Sequence, residues 1–432
     1  MDRYNLISLA GLFGLIGIAW LFSVNRRRQN IRCIVMGTAL QLVMGMIVFW
    51  IPASHSLFLK LNDLVLRLLE ASTAGQRFVF GPLAVGPGQT DGSGNTSIGF
   101  ILATQAFPMV IFFAALMGLL YYIGIMQWII RGFAWVFLRL MRISGAEALC
   151  TASNIFVGIE STTAVRPYLS GMTRSELCTI LTAGLATVAS TVLGLYVVFL
   201  KDTFPTIAGH LISASILSAP AAVVFSKILL PEDGCPITMG QPAEFHYERE
   251  SSAIEAIING AMAGVKLVVG VVALLIAFLG ILALLDMGLA WLGGTLHLMD
   301  PSKVPSPITT VLSYLFYPFA ILIGIPPDDA RLAGEMLGTR FVATEIPAYT
   351  QLAACMKAGT LSHPRSAVLI AYALCGFAHV ASLAIFVGGV AALVPQRKAD
   401  LAAVAPRVLM AATLACLATA AVAGTFFLHP PN

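Results

Sequence analysis

EALCTASNIFVGIESTTAVRPYLSG, residues 147–171, is apolar enough to enter a membrane, yet Gly158, Glu160, Ser161, Thr162 and Thr163 break its middle, followed by Arg166 and Pro167. A carboxylate or guanidinium facing lipid at membrane depth costs at least a few kcal/mol, so an unbroken spanning helix does not fit. A re-entrant hairpin with its polar tip inside the protein does, because irregular backbone is tolerated at that depth only where protein or a water-filled cavity surrounds it. A second stretch has the same grammar. GTRFVATEIPAYTQ, 338–351, sets Gly338, Arg340, Thr344, Glu345 and Pro347 in the middle of the segment 328–356.

The rest of the chain supplies the apolar surroundings that two such hairpins need. Hydrophobic residues make up 58% and charged residues 11%, with a mean hydropathy of +0.88, whereas a soluble domain carries roughly a quarter charged residues. The composition is that of an all-α polytopic membrane protein. The net charge is only +4 and its basic residues sit in short clusters between apolar runs, which argues against a nucleic-acid partner. Seven cysteines are scattered without a CxxC pair and read as small packing residues. No cofactor is implied.

Apolar runs near the spanning length of about 20 residues number about eight: 5–24, 33–52, 98–125, 175–200, 205–230, 254–292, 363–394 and 403–428. The stretch 55–72 has helical spacing with Lys60, Asp63 and Arg67 interspersed and suits an interfacial helix, and 81–97 is a Gly-rich external loop. NRRRQNIR follows the first run at once, which points to a retained first helix with its N-terminus outside and not to a cleaved signal. Arg26, Arg27, Arg28, Arg32, Arg131, Arg139 and Arg142 then mark the cytoplasmic face of a bacterial-type inner membrane.

A short phrase occurs twice: GLATVAST, 184–191, follows the first hairpin, and GFAHVASL, 376–383, follows the second. Duplicated units of this kind, each a broken hairpin followed by a helix rich in Gly and Ser, point to a secondary transporter built from internal repeats. The basic loops put the hairpins on opposite sides, so the repeats are inverted. The expected organisation is N-terminal scaffold helices with an interfacial helix over 1–145, a first transport repeat over 146–232, a loop and long scaffold helix over 233–300, and a second transport repeat over 301–432.

NIFVG (154–158), RPYLSGMTRSEL (166–177), HLISASILSAPAAVVFSKILLPE (210–232), AIINGAMAGVKLVVGVVALLIAF (256–278), LGTRFVATEIPAY (337–349) and SAVLIAYALCGFAHVASLAIFVGGVAALVPQRKADL (366–401) together resemble the concentrative nucleoside transporters. The resemblance covers nearly the whole chain. It implies a homotrimer in which a scaffold holds a mobile transport domain, made from two opposed hairpins and two partly unwound helices and moving as an elevator.

Sodium is a hard cation that takes oxygen ligands, available from the Asn154 and Thr187 side chains and from carbonyls freed by broken helices near Val157 and Val188. The family's sodium site looks similar at these four positions. Asn154 as a hairpin cap and Thr187 as an ordinary helix hydroxyl are the plainer readings, and Glu160, Glu345 and His379 leave proton coupling open. For the substrate, the resemblance implies ribose contacts at Glu345 and Ser382, an aromatic wall at Phe377, and His379 where the family has Asn. The other reading of Glu345 is a salt bridge to Arg340. At the tip of hairpin one, Ile159, Glu160 and Ser161 stand where the family reads the nucleobase with Gln, Thr and Glu. Ile159 cannot replace an amide's donor and acceptor, Glu160 matches the family Glu with the register shifted by one, and Ser161 stands in part for the Thr. Thr344 and Pro347 also depart from the family's Asn and Val. The choice between purines and pyrimidines, or another small polar substrate, stays open.

With the resemblance, the expected function is an ion-coupled importer of nucleosides, with sodium as the expected coupling ion. A channel is the rival reading, since two half-spanning hairpins also describe a pore, and a receptor without transport is a third. An enzyme is disfavoured, because no H-E-x-x-H or G-x-S-x-G motif is present and His210, His297 and His363 lie apart.

Overall fold

Two hairpins and two interrupted helices organise the molecule. The computed structural model describes residues 2–86, 90, 94, 96–246, 250–295 and 306–428, with backbone alone at 52–55, 159–160 and 293–294. The loops expected at 81–97 and 293–306 fall partly outside the described residues. The chain runs α1 (Arg3–Leu21), α2 (Ile31–Trp50), α3 (Pro52–Phe80), α4 (Leu102–Gln105), α5 (Phe107–Ile123), α6 (Ile125–Met141) and α7 (Gly145–Asn154). It continues through α8 (Arg174–Ala186), α9 (Ser190–Leu200), α10 (Ile207–Leu229), α11 (Ala253–Thr295), α12 (Pro307–Leu322), α13 (Pro327–Val342) and α14 (Glu345–Ala358), and ends with α15 (Pro364–Leu374), α16 (Val380–Leu393) and α17 (Lys398–Phe426). Among the described residues, seven helical stretches are long and apolar enough to span a membrane. The two halves α15 and α16 together make the eighth expected run.

Hairpin one is α7, a tight tip at 155–158, and a return arm, Ile159–Gly171, in 3₁₀ form with Pro167 inside it. Hairpin two is α13 and α14, with its tip at Ala343 and Thr344. Each base is locked. Ser144 and Thr173 close capping boxes with Glu147 and Glu176, satisfying the first N–H groups of α7 and α8. Lys227 of α10 ties the two caps together, its Nζ 2.6 Å from Glu147 and 3.2 Å from Glu232, while Ser144 donates to Glu176 at 2.6 Å. At hairpin two, Asp329 accepts from the N–H of Ser362 and His363 and from the Ser366 hydroxyl, capping α15. Arg365 donates to the carbonyls of Gly324, Tyr4 and Gly424 and to Asn5 and Ser8, fastening α1 and α17 to the same end.

The expected helices 175–200 and 363–394 are each interrupted, at 187–189 and 375–379. Both interruptions overlap the repeated phrase, and its shared glycine has the same use in each copy. A Cβ on Gly184 would lie 2.2 Å from Phe386 of α16, and one on Gly376, at φ +122°, would lie 2.7 Å from the carbonyl oxygen of Ala186. The two broken helices thus touch each other at their breaks, a closeness only small residues permit.

Around them α10 and α17 form the interior, with 89% of the most apolar window of α17 buried. The long helix α11 packs along α5 and touches α12, where Asp286 accepts from Ser306 and the Ile308 N–H, but only 11% of its window is buried, and Val269, Ile276, Leu284 and Trp291 are exposed. The interfacial helix is longer than its sequence pattern predicts, extending over all of α3.

Candidate functional site

The four helix ends created by the breaks and hairpin tips meet in the middle of the fold, and they are of two electrical kinds. A helix carries about half a positive charge at its N-terminus and half a negative charge at its C-terminus, from its unpaired N–H and C=O groups. The C-terminal ends of α7 and α8 come together at Asn154 and Thr187. The N-terminal ends of α14 and α16 carry Glu345 and His379.

At the C-terminal ends, Asn154 is fully buried. Its amide nitrogen donates to the Cys150 carbonyl at 3.0 Å, while its side-chain oxygen has no hydrogen-bond partner. A buried amide oxygen left without a donor is costly unless something positive faces it. Thr187 donates its hydroxyl to the Ala183 carbonyl at 2.9 Å, leaving the oxygen's lone pairs free to accept. Val157 and Val188 are buried in the adjoining irregular backbone. Ser190 donates its N–H to the Phe156 carbonyl at 2.9 Å, pinning the start of α9 to the tip of hairpin one. Ser215 of α10, which the sequence reading did not single out, lies 2.9 Å from the Ile155 carbonyl and 3.3 Å from that of Val188, bridging the hairpin tip and the break. The set is all oxygen and without charge, donors of the kind a hard cation takes.

At the N-terminal ends, Glu345 is the first residue of α14 and only 4% exposed. Its Oε1 accepts from the Tyr196 hydroxyl at 2.7 Å. Its Oε2 makes a close ion-pair contact with His379 Nε2 at 2.8 Å and has no hydrogen bond beyond it. His379 caps α16: Nδ1 accepts the N–H of Ser382 at 3.3 Å, which puts the proton of a neutral ring on Nε2, 2.9 Å from the Ser382 hydroxyl. Arg340 is not the partner of Glu345. It donates instead to the Ala373 carbonyl.

Glu345, Phe377, His379 and Ser382 line one cavity of ≈ 90 Å3, together with Gly158 of hairpin one, Thr191 of α9, and apolar residues of α5 and α11. The side chains of Ile159 and Glu160 lie outside the described residues. Ser161 does not line this cavity; it lines a separate one of ≈ 140 Å3 with Ser153, Val157 and Thr163. The 3₁₀ path explains this, since three residues per turn put Ser161 and Ala164 on one face. Tyr196 was also missed by the sequence reading; a lone tyrosine in the apolar run of α9 carries no signal until α14 is brought against it.

The sequence matches the families described as Na+ dependent nucleoside transporter N-terminus over residues 10–83, Gate: Nucleoside recognition over 103–203, and Na+ dependent nucleoside transporter C-terminus over 210–424. It is 34% identical to Solute carrier family 28 member 3 of Mus musculus and 33% identical to Sodium/nucleoside cotransporter 1 of Oryctolagus cuniculus, each over 98% of this chain, which spans 59% and 63% of their lengths. An uncharacterized transporter of Haemophilus influenzae is 33% identical over 98% of this chain and 97% of its own length. CNTnw in an inward-facing substrate-bound state superposes with a TM-score of 0.85 at 31% identity, covering 98% of both chains, and an outward-facing variant of CNTnw does so at 0.86. This chain belongs to the concentrative nucleoside transporter family.

Proposed function

We propose that this protein imports nucleosides across a bacterial-type inner membrane in symport with sodium. The observation that carries the reading is the pairing of opposite helix ends: two C-termini with an unpartnered Asn154 oxygen for the cation, and two N-termini holding the Glu345 carboxylate for the sugar. Sodium takes the Asn154 and Thr187 oxygens and carbonyls of Val157 and Val188. The ribose hydroxyls donate to Glu345 Oε2, a charge-assisted bond in a dry site, with His379 and Ser382 as neighbouring partners and Phe377 against the ring. Because Ser215 ties the Val188 carbonyl to hairpin one, and Ser190 ties the start of α9 to the same tip, an ion there stiffens the tip beside the substrate.

A cavity of ≈ 90 Å3 is below the roughly 300–1,000 Å3 of ordinary ligand pockets. Admission of a nucleoside therefore requires its walls to part, the hairpins and broken helices moving as a body against α5 and α11, in an elevator-type cycle. The bare apolar face of α11 supports a homotrimer seated in lipid, with residues 1–145 and 233–300 as scaffold and the two repeats, 146–232 and 301–432, as transport domain. The arginine clusters put the N-terminus outside.

The test is radiolabelled nucleoside uptake into proteoliposomes with an inward sodium gradient. Uptake that saturates and collapses when the gradient is dissipated supports the reading; rapid flux indifferent to the gradient overturns it in favour of a channel. The contact between Glu345 and His379 favours a second reading, in which a proton replaces sodium. Uptake driven by external acidification in sodium-free medium would select it.

A further inference from the structure

The two repeats bring the same parts together but do not share the same charge. In the first, the C-terminal ends of α7 and α8 face each other with uncharged oxygens. In the second, the equivalent elements are α13, the first arm of hairpin two, and α15, the first half of the broken helix. Arg340 stands in the last turn of α13, is fully buried, and donates to the carbonyl of Ala373 in the last turn of α15. Among the described residues no carboxylate lies within ion-pair distance of Arg340, and its Nε and Nη2 have no hydrogen-bond partner. The Arg340 guanidinium is thus held at this helix end by a carbonyl and not by an acid.

A buried, unpaired arginine is costly in a membrane interior. The C-terminal ends of α13 and α15 supply partial negative charge that offsets this cost, as they would for a metal cation. We propose that Arg340 is a built-in cation, filling in the second repeat the station that the transported sodium takes in the first, so that each cycle carries one coupling cation and not two. The proposal rests on the sodium reading of the first repeat. It accounts for why that station needs an ion from outside: no lysine or arginine stands in the last turn of α7 or of α8. It also assigns Arg340 as a positioning residue for the break at 375–379, acting on Phe377 and His379 through the end of α15.

The experiment uses the full-length protein in proteoliposomes, measuring the Hill coefficient for sodium and the ratio of sodium to nucleoside flux. Wild type is expected to give a coefficient and a ratio of one. Arg340→Ala should cut uptake about tenfold or more, the cost of about one lost charge-assisted contact. Millimolar guanidinium should restore several-fold of the loss, or the sodium Hill coefficient should rise above one as a second ion enters the vacated station. Arg340→Lys, which keeps the charge, should retain a coefficient of one. A purely structural role for Arg340 would not give rescue by a small cation. A wild-type flux ratio of two overturns the built-in cation while leaving sodium symport intact, as does an Arg340→Ala protein with unaltered Hill coefficient and no guanidinium response. Should Arg340→Ala fail to accumulate, the wild-type flux ratio and Arg340→Lys carry the test. Uptake that ignores sodium altogether would defeat the symport reading itself.

Discussion

The two copies of the repeated phrase differ most where they are most alike in position. Thr187 and His379 occupy the same offset, each at a break in a helix. Thr187 ends α8 and adds its hydroxyl to a cluster of oxygens at two helix C-termini, whereas His379 begins α16 and sits beside a carboxylate at two helix N-termini. An inverted duplication thus yields unlike sites: the backbone dipoles reverse with the segment of helix used, and one side chain at each break suits the charge it meets. The shared glycine teaches the complement. Gly184 and Gly376 keep the same task in both copies, because close contact between the broken helices is needed from either side.

This contrast can be broken most decisively at Glu345. Glu345→Gln removes a charge-assisted acceptor worth about 1.5–3 kcal/mol, so the nucleoside concentration for half-maximal uptake should rise about ten- to hundredfold. An unchanged value would remove the substrate from the second repeat. Next comes the glycine pair. Gly376→Ala forces a side chain at φ +122° against the Ala186 carbonyl, a strain of about 1–3 kcal/mol, and should lower the melting temperature by several degrees. Gly184→Ala, at ordinary helical φ, meets the edge of the buried Phe386 ring and not backbone, and should cost less; equal effects would contradict the difference in backbone conformation.

Asn154→Ala sharpens the comparison on the ionic side. Loss of its unpartnered oxygen should raise the sodium concentration for half-maximal uptake about tenfold, the equivalent of about 1.4 kcal/mol, with the nucleoside optimum otherwise reached at saturating sodium. Ser215→Ala is the smallest expected change. It removes one neutral hydrogen bond, about 0.5–1.5 kcal/mol, from the Ile155 and Val188 carbonyls, and should raise the sodium requirement a few-fold. A sodium requirement untouched by both would leave the oxygen cluster a packing feature.

Much of this arrangement was legible because membranes punish polarity. Glu160, Arg166, Arg340 and Glu345 stood out in apolar surroundings, and the cost of facing lipid dictated hairpins around them. The breaks themselves were marked more faintly. Thr187–Ala189 contains neither proline nor glycine, and only its likeness to the second copy, where Gly376 and His379 stand, drew attention to it. What remained hidden depends on contacts between distant segments: the Tyr196 hydroxyl finds Glu345 149 residues away, and Ser215 reaches a hairpin 60 residues before it. That Ser161 lines a different cavity from Glu345 was also hidden, because an apolar segment does not declare whether its return arm is α-helical or 3₁₀, and the face a side chain takes follows from that choice. Arg340 was weighed as a mate for Glu345, yet its guanidinium donates to the Ala373 carbonyl of α15, while Glu345 takes Tyr196 of α9 and His379 at the start of α16.

The central claim is that an oxygen cluster for sodium and a carboxylate for the sugar are coupled across hairpin one. Coupling of this kind is reciprocal, so sodium must tighten nucleoside binding by the factor that nucleoside tightens sodium binding. The direct measurement is equilibrium binding of radiolabelled nucleoside to the purified protein in sodium chloride and in choline chloride of equal ionic strength. The account predicts binding about tenfold or more tighter in sodium, the low end of the usual coupling of about 1–3 kcal/mol, with the difference lost in Asn154→Ala. Equal affinity in the two salts, in a protein that binds nucleoside, would contradict it.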